Sequence, residues 1–91
     1  MSYKLLITDA YSKKLIKFLK KHRDVLPRYI KTMEILEQNP YHPSLRLHKL
    51  QGKLSQFHSI SINMEYRIII DFIINNDEII PINISTHDNV Y

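Results

Sequence analysis

The sequence has no cysteine, and its only glycine in 91 residues is Gly52. Without thiols there is neither disulfide nor thiolate chemistry, which suits a reducing cytoplasm. With one glycine there is no Gly-rich phosphate loop, neither the nucleotide-binding P-loop nor the dinucleotide fingerprint, so ATP and NAD enzymology are set aside. No apolar run approaches the length that spans a bilayer. Lys4 and Asp9 bracket too short an apolar stretch for a secretory signal peptide, so a cytoplasmic protein with no membrane partner is expected. Basic residues are scarce at one end: after Lys53 the only one is Arg67. The acidic side chains Glu65, Asp71, Asp77, Glu78 and Asp88 lie there instead. The formal net charge of +4 and pI near 9.4 therefore belong to the first half. Such a half suits an anionic partner, nucleic acid first, although an ordinary solvated lysine face has the same composition.

A chain this short makes one small domain, residues 1–91, with a modest core that a partner could complete. Its organising stretch is Tyr66-Arg67-Ile68-Ile69-Ile70-Asp71-Phe72-Ile73-Ile74, β-branched and aromatic almost throughout. It reads as a buried strand. Period-2 alternation puts Tyr66, Ile68, Ile70, Phe72 and Ile74 on one face, which calls for a helical layer over it. Arg67, Ile69 and Asp71 take the other. An unpaired buried guanidinium would cost several kcal/mol, so that face is open or paired at Arg67. An Arg67–Asp71 pair is the alternative, but four strand residues span roughly 13 Å, too far for direct contact.

In chain order, Tyr3 to Thr8 reads as a strand, and Thr8 or Asp9 caps a helix from Ala10 to His22. Tyr11, Leu15, Phe18 and Leu19 form its apolar stripe, inside a coat of Lys13, Lys14, Lys17, Lys20 and Lys21. Asp24 caps a second helix, with Pro27 in its first turn and Leu26, Tyr29, Ile30, Met33 and Leu36 facing the core. Asn39-Pro40 ends it. Leu45, Leu47 and Leu50 anchor the next segment while Arg46, His48 and Lys49 stay in solvent. Phe57 to Asn63 is a strand with His58, Ile60 and Ile62 on one face and Phe57, Ser59 and Ser61 on the other. Asn75-Asn76-Asp77 turns into a last strand, Glu78 to Ile84, with Ile80, Ile82 and Ile84 toward the helices. Pro81 must sit where no ladder donor is needed. The expected class is α+β: two N-terminal helices on one face of a mostly antiparallel four-stranded sheet, in the order β-α-α-β-β-β.

On the uncovered face or its rim the sequence gathers His48, Glu65, Arg67, His87 and Tyr91, with Ser59 and Ser61 between them. The histidines lack zinc-ligand spacing, and no glycine-flanked serine elbow exists, so no metal or cofactor is expected. The set suits RNA cleavage by the adjacent 2′-OH. That reaction needs a proton acceptor, stabilisation of extra charge on phosphate, and a donor for the leaving 5′-oxygen. Imidazole can take either proton-transfer role, guanidinium grips phosphate oxygens, and tyrosine can stack on a base.

The stretches His48-Lys49-Leu50-Gln51-Gly52-Lys53-Leu54, Glu65-Tyr66-Arg67-Ile68-Ile69 and Ser85-Thr86-His87-Asp88-Asn89-Val90-Tyr91 carry a resemblance. In order and spacing they resemble the RelE/ParE toxin superfamily over nearly the whole chain, most closely the RelE/YafQ branch. That resemblance implies a toxin of a type II toxin–antitoxin system, a ribosome-dependent mRNA endoribonuclease whose partners are the ribosome, mRNA and a cognate antitoxin. By position it implies that His48 is a catalytic histidine, Glu65 an acidic site residue and Arg67 the phosphate-stabilising arginine. His87 matches the terminal-segment histidine of YafQ, where RelE has arginine, and Tyr91 the terminal aromatic residue. Contacts to RNA are expected from Lys13, Lys17, Lys20, Arg46, Lys49, Lys53, Ser59 and Ser61. Two departures stand out. Ser59 and Ser61 occupy places where the family often has basic residues, and Ser85 stands where glycine is usual. The alternatives within the fold are a ParE-like DNA gyrase inhibitor, which generally lacks histidines at these places, and a catalytically inactive binding protein.

Overall fold

The computed structural model describes residues 3–73 and 76–86. Its order is β1 (Lys4–Leu5), α1 (Asp9–Lys21), α2 (Leu26–Gln38), β2 (His48–Lys49), β3 (His58–Ser61), β4 (Tyr66–Ile73) and β5 (Glu78–Thr86). The α+β class holds, but the sheet is five-stranded and mixed, in the order β1-β5-β4-β3-β2. The short β1 runs parallel to β5, whereas the other neighbours are antiparallel. The fifth strand is the His48–Lys49 pair, which extends the edge beside β3.

Helix α1 begins as the sequence indicates. The Thr8 side chain accepts a hydrogen bond from the Tyr11 amide at 3.1 Å, satisfying a first-turn donor that has no helical partner. The entry to α2 differs from expectation. Asp24 falls inside a 3-10 turn, Arg23–Val25, and α2 starts from Val25 without a side-chain cap. Pro27 lies in the first turn, where its missing N–H costs no helical bond. The stripe on α2 is also rotated. Tyr29, Thr32 and Leu36 are buried, while Leu26 and Ile30 remain 42% and 50% exposed. The Tyr11 and Tyr29 hydroxyls meet at 2.9 Å and tie the two helices together inside the core. Burial, foremost, pushes both phenols above their ordinary range.

The core lies between the helices and one face of the sheet. Ile60, Ile62, Ile68, Ile70, Ile79 and Ile84 meet Tyr11, Val25, Tyr29 and Leu36 there. Each fully buried isoleucine is worth about 1.5–3 kcal/mol relative to exposure. The face assignments of β3 and of the described part of β4 hold; Ile74 lies outside the described residues.

Strand β5 departs from simple alternation. Its register against β4 slips at Ile69/Ile70: Asn83 faces Ile69 and Pro81 faces Ile70, so Ile82 is the extra residue of a bulge. A bulge shifts side-chain parity by one, so the stretch before it points opposite to the expected way. Ile79 is in the main core and Ile80 faces Asp71, whose parity is that of Arg67. Ile82 packs with Leu50, Leu54, Phe57 and Ile69 in a second, smaller cluster on the far side. Of the three expected inward residues only Ile84 points to the helices. Pro81 fits because it stands beside the irregularity.

Candidate active site

The second face of the sheet is covered at one end by that small apolar cluster and is open at the other. The ladder fixes what lies at the open end. His48 is opposite Ser59, Ser59 opposite Ile69, Ser61 opposite Arg67, and Arg67 opposite Ser85. Directly opposed residues share a face, so two short rows of polar side chains lie side by side. Arg46, His48, Ser59, Ser61 and Arg67 line one cleft of about 220 Å³. Among the described residues its lining holds two guanidiniums and an imidazole and no carboxylate, a composition that suits an anion.

The His48 ring is held by backbone. Nδ1 lies 3.1 Å from the carbonyl oxygen of Arg46. A carbonyl only accepts, so the neutral ring carries its proton on Nδ1 and its lone pair on Nε2. The carbonyl is aimed there because Arg46 is left-handed, φ 50°, at the end of the 3-10 turn Pro43–Leu45. An L-residue spends about 1 kcal/mol to stay in that region. The Ser59 hydroxyl stands 3.2 Å from Nε2 and 3.5 Å from Nδ1. Those near-equal distances put it beside the ring rather than along the axis of either nitrogen. It braces the imidazole and leaves the outer side of Nε2 accessible, since His48 is exposed. Ser59 itself is 1% exposed and Arg67 8%.

The loop into β4 is set by its own polar groups. The Ser61 hydroxyl donates to the Asn63 carbonyl at 2.8 Å. Asn63 Oδ1 accepts from the amides of Glu65 and Tyr66, both at 2.9 Å, which shapes the turn that delivers Arg67.

The structure therefore brings together His48, Arg67, Ser59, Ser61 and Arg46 out of the residues singled out from sequence. Glu65 does not line the cleft. Its carboxylate instead acts on the Tyr66 phenol, which is held above its ordinary range by burial first and then by the charges of Glu65 and Asp24. That phenol meets His22 Nδ1 at 3.1 Å on the helix side of the sheet. Lys49 and Lys53 are exposed near β2 but outside the cleft lining. Lys13, Lys17 and Lys20 lie on α1, which packs against β5 rather than β3; Lys17 lines a separate hollow there with Lys14 and Lys21. His87 and Tyr91 lie outside the described residues. Among the described residues no group of three or more His, Asp or Glu side chains could hold a metal ion. Sequence reasoning missed the role of the Arg46 carbonyl, a backbone property that no residue pattern announces. It also missed Arg28, which lines the groove next to this cleft from an exposed position on α2.

Comparison with known proteins identifies the fold and the family. A Methanocaldococcus jannaschii protein named as a candidate toxin, RelE4, is 28% identical over 89 residues, covering 98% of this chain and 90% of its own. A copper-bound mutant toxin from Helicobacter pylori has the same fold, with TM-score 0.65 at 25% identity over the full length of both chains. The E. coli DinJ–YafQ toxin–antitoxin complex contains a chain of this fold with TM-score 0.75 at 16% identity, covering 100% of this chain and 99% of that one. The family described as RelE-like toxin of type II toxin–antitoxin system HigB matches residues 7–87, and the chain belongs to that family.

Proposed function

We propose that this toxin is an endoribonuclease that cuts mRNA on the ribosome and so halts translation. The observation that carries the reading is the pairing, in one cleft whose described lining has no carboxylate, of an exposed imidazole oriented through Nδ1 with the buried guanidinium of Arg67. In the proposed reaction His48 Nε2 accepts the proton of the RNA 2′-OH. The 2′-oxygen then bonds to the adjacent phosphorus, and the bond from phosphorus to the 5′-oxygen breaks. Arg67, with Arg46 beside it, offsets the charge that builds on the phosphate oxygens. The leaving oxygen takes a proton from an acid, the role the family resemblance gives to His87. The products are a 2′,3′-cyclic phosphate and a 5′-hydroxyl. Tyr91, by the same resemblance, orients the nucleotide, and Lys49 and Lys53 add to the attraction for RNA. Glu65 has no part in this scheme, because it lies off the cleft.

A cognate antitoxin is the proposed protein partner, and the cytoplasm the proposed site of action. The YafQ chain was solved as a complex with DinJ. In this chain Ile16, Leu26 and Ile30 are left about half exposed on the helices, a surface that a partner would cover. The deciding experiment supplies the protein with translating ribosomes and maps mRNA ends. Cuts at the ribosome should appear with the wild type and fall about 10²–10³-fold with Arg67→Gln, the loss typical of removing one charge-stabilising donor. Intact mRNA together with inhibited DNA gyrase supercoiling would overturn the reading in favour of a ParE-like activity.

A further inference from the structure

Beside the catalytic cleft lies a larger groove of about 700 Å³, which shares Arg46 and Ser61 with it and adds Arg28, Asn63 and Met64. The volumes divide the work. Sites for whole small ligands run from about 300 to 1,000 Å³, so the cleft of about 220 Å³ is too small for a nucleotide and the groove is large enough.

Two features of the groove point to its ligand. The first is charge: among the described residues its lining contains Arg28 and Arg46 and no carboxylate. Arg28 is also pre-set. Its Nε donates to the carbonyl of Ile62, the residue that follows β3, at 2.9 Å. That one bond fixes the plane of the guanidinium and leaves both terminal nitrogens for an incoming anion, the arrangement that suits forked contact with phosphate. The second is Met64, which is 85% exposed at the turn between β3 and β4. A flexible, polarisable thioether in solvent gains most by lying against a flat apolar ring. A cation and an apolar platform in one groove match a phosphate and a base of the same nucleotide.

We propose that this groove binds the nucleotide flanking the scissile phosphate in single-stranded RNA, with Arg28 on its phosphodiester and Met64 against its base. The inference rests on the endoribonuclease reading for the identity of the strand. Arg46, common to both cavities, spans the two phosphates. The groove thereby sets the register of the strand: the phosphate next to the cut is gripped outside the cleft, so only its neighbour can reach His48.

The test is an NMR titration with uncleavable 2′-deoxy-blocked oligonucleotides, one a dinucleotide with a single phosphate and one a tetranucleotide. The dinucleotide should shift resonances of the cleft, His48 and Arg67 among them, and leave Arg28 and Met64 unmoved. The tetranucleotide should also shift the Arg28 Nε–H and the Met64 methyl. Arg28→Gln should erase the affinity gain of the longer strand, about tenfold for one phosphate grip, and lower the slope of log affinity against log salt by about 0.7. Met64→Ala, at a side chain too exposed to matter for folding, should lower affinity for the tetranucleotide alone, by about fivefold or more, the loss expected from a base-stacking contact. If the tetranucleotide shifts His48 and Arg67 but leaves Arg28 and Met64 unmoved, the groove is not a subsite and the nuclease reading stands. If neither oligonucleotide shifts any residue of the cleft, both fall together.

Discussion

The two faces of β3 and β4 are built from alternate residues of the same short strands, yet they are different materials. Toward the helices, Ile60, Ile68 and Ile70 are 0% exposed and belong to the main apolar core. One residue along the chain, Ser59 and Arg67 are nearly as deeply enclosed, at 1% and 8%, and are polar or charged. Burying such groups lowers stability unless their hydrogen bonds and charges are met. The fold tolerates that on one face because the other is saturated with apolar contact. The contrast teaches where to look: depth alone does not distinguish core from site here, whereas chemistry at equal depth does.

Substitutions on the two faces should therefore separate activity from stability. The largest effect is expected at His48. His48→Ala should lower mRNA cutting by about 10²–10⁴-fold, the range for a lost proton-transfer group, with thermal unfolding nearly unchanged because the ring is exposed. If its melting temperature falls as far as that of a core variant, the division between faces is false. The matched change on the covered face is Ile68→Ala, expected to cost about 2–5 kcal/mol in denaturant unfolding. Its cutting per folded molecule should stay at the wild-type level. Next comes Tyr11→Phe, which strands the Tyr29 hydroxyl inside the core. A loss of about 1–2 kcal/mol is expected, and equal stability would mean that the hydroxyl pair is idle.

The smallest effect sharpens the contrast by pH. His58 lies on the helix side of β3, its ring edge-on to Phe72 at 5.8 Å, and its Nδ1 is buried with no hydrogen-bond partner. Burial first, then the nearby charges of Lys49 and His48, hold its pKa below the ordinary histidine value; Asp71 pulls the other way. The sign follows directly. Above about pH 6.5 the imidazole is neutral folded and unfolded. As pH falls below that, the unfolded chain takes up a proton before the folded one, so stability drops until the folded pKa is passed, then levels. His58→Phe should remove that part of the slope, read as the difference in urea midpoint between pH 7.5 and pH 5. A difference that persists undiminished would move the titration elsewhere.

Much of this was legible from residue pattern alone. Alternation in Tyr66–Ile73 and His58–Ser61 identified both faces, because a strand with one apolar side has only one sensible way to lie. The convergence of His48, Ser59, Ser61 and Arg67 followed from that. The illegible parts have physical causes. A two-residue ladder such as His48–Lys49 has no period to detect, so the sheet gained a strand. One extra residue at Ile82 reversed the parity of Ile80, and nothing in a run of isoleucines marks where a bulge falls. Leu26 and Ile30 fit the helical repeat but sit beyond the edge of the contact with the sheet. Arg28 reads as an ordinary surface cation until its Nε is seen to be engaged.

Arg46 carries a tension that bears on how this protein could change over time. Its backbone sits where glycine would rest at ease, and its side chain reaches both cavities. A library screened only for heat tolerance would favour glycine there, gaining about 1 kcal/mol. The survivors would still aim a carbonyl at His48 yet would have surrendered a cation from each cavity. Hardiness and toxicity would then pull one codon in opposite directions.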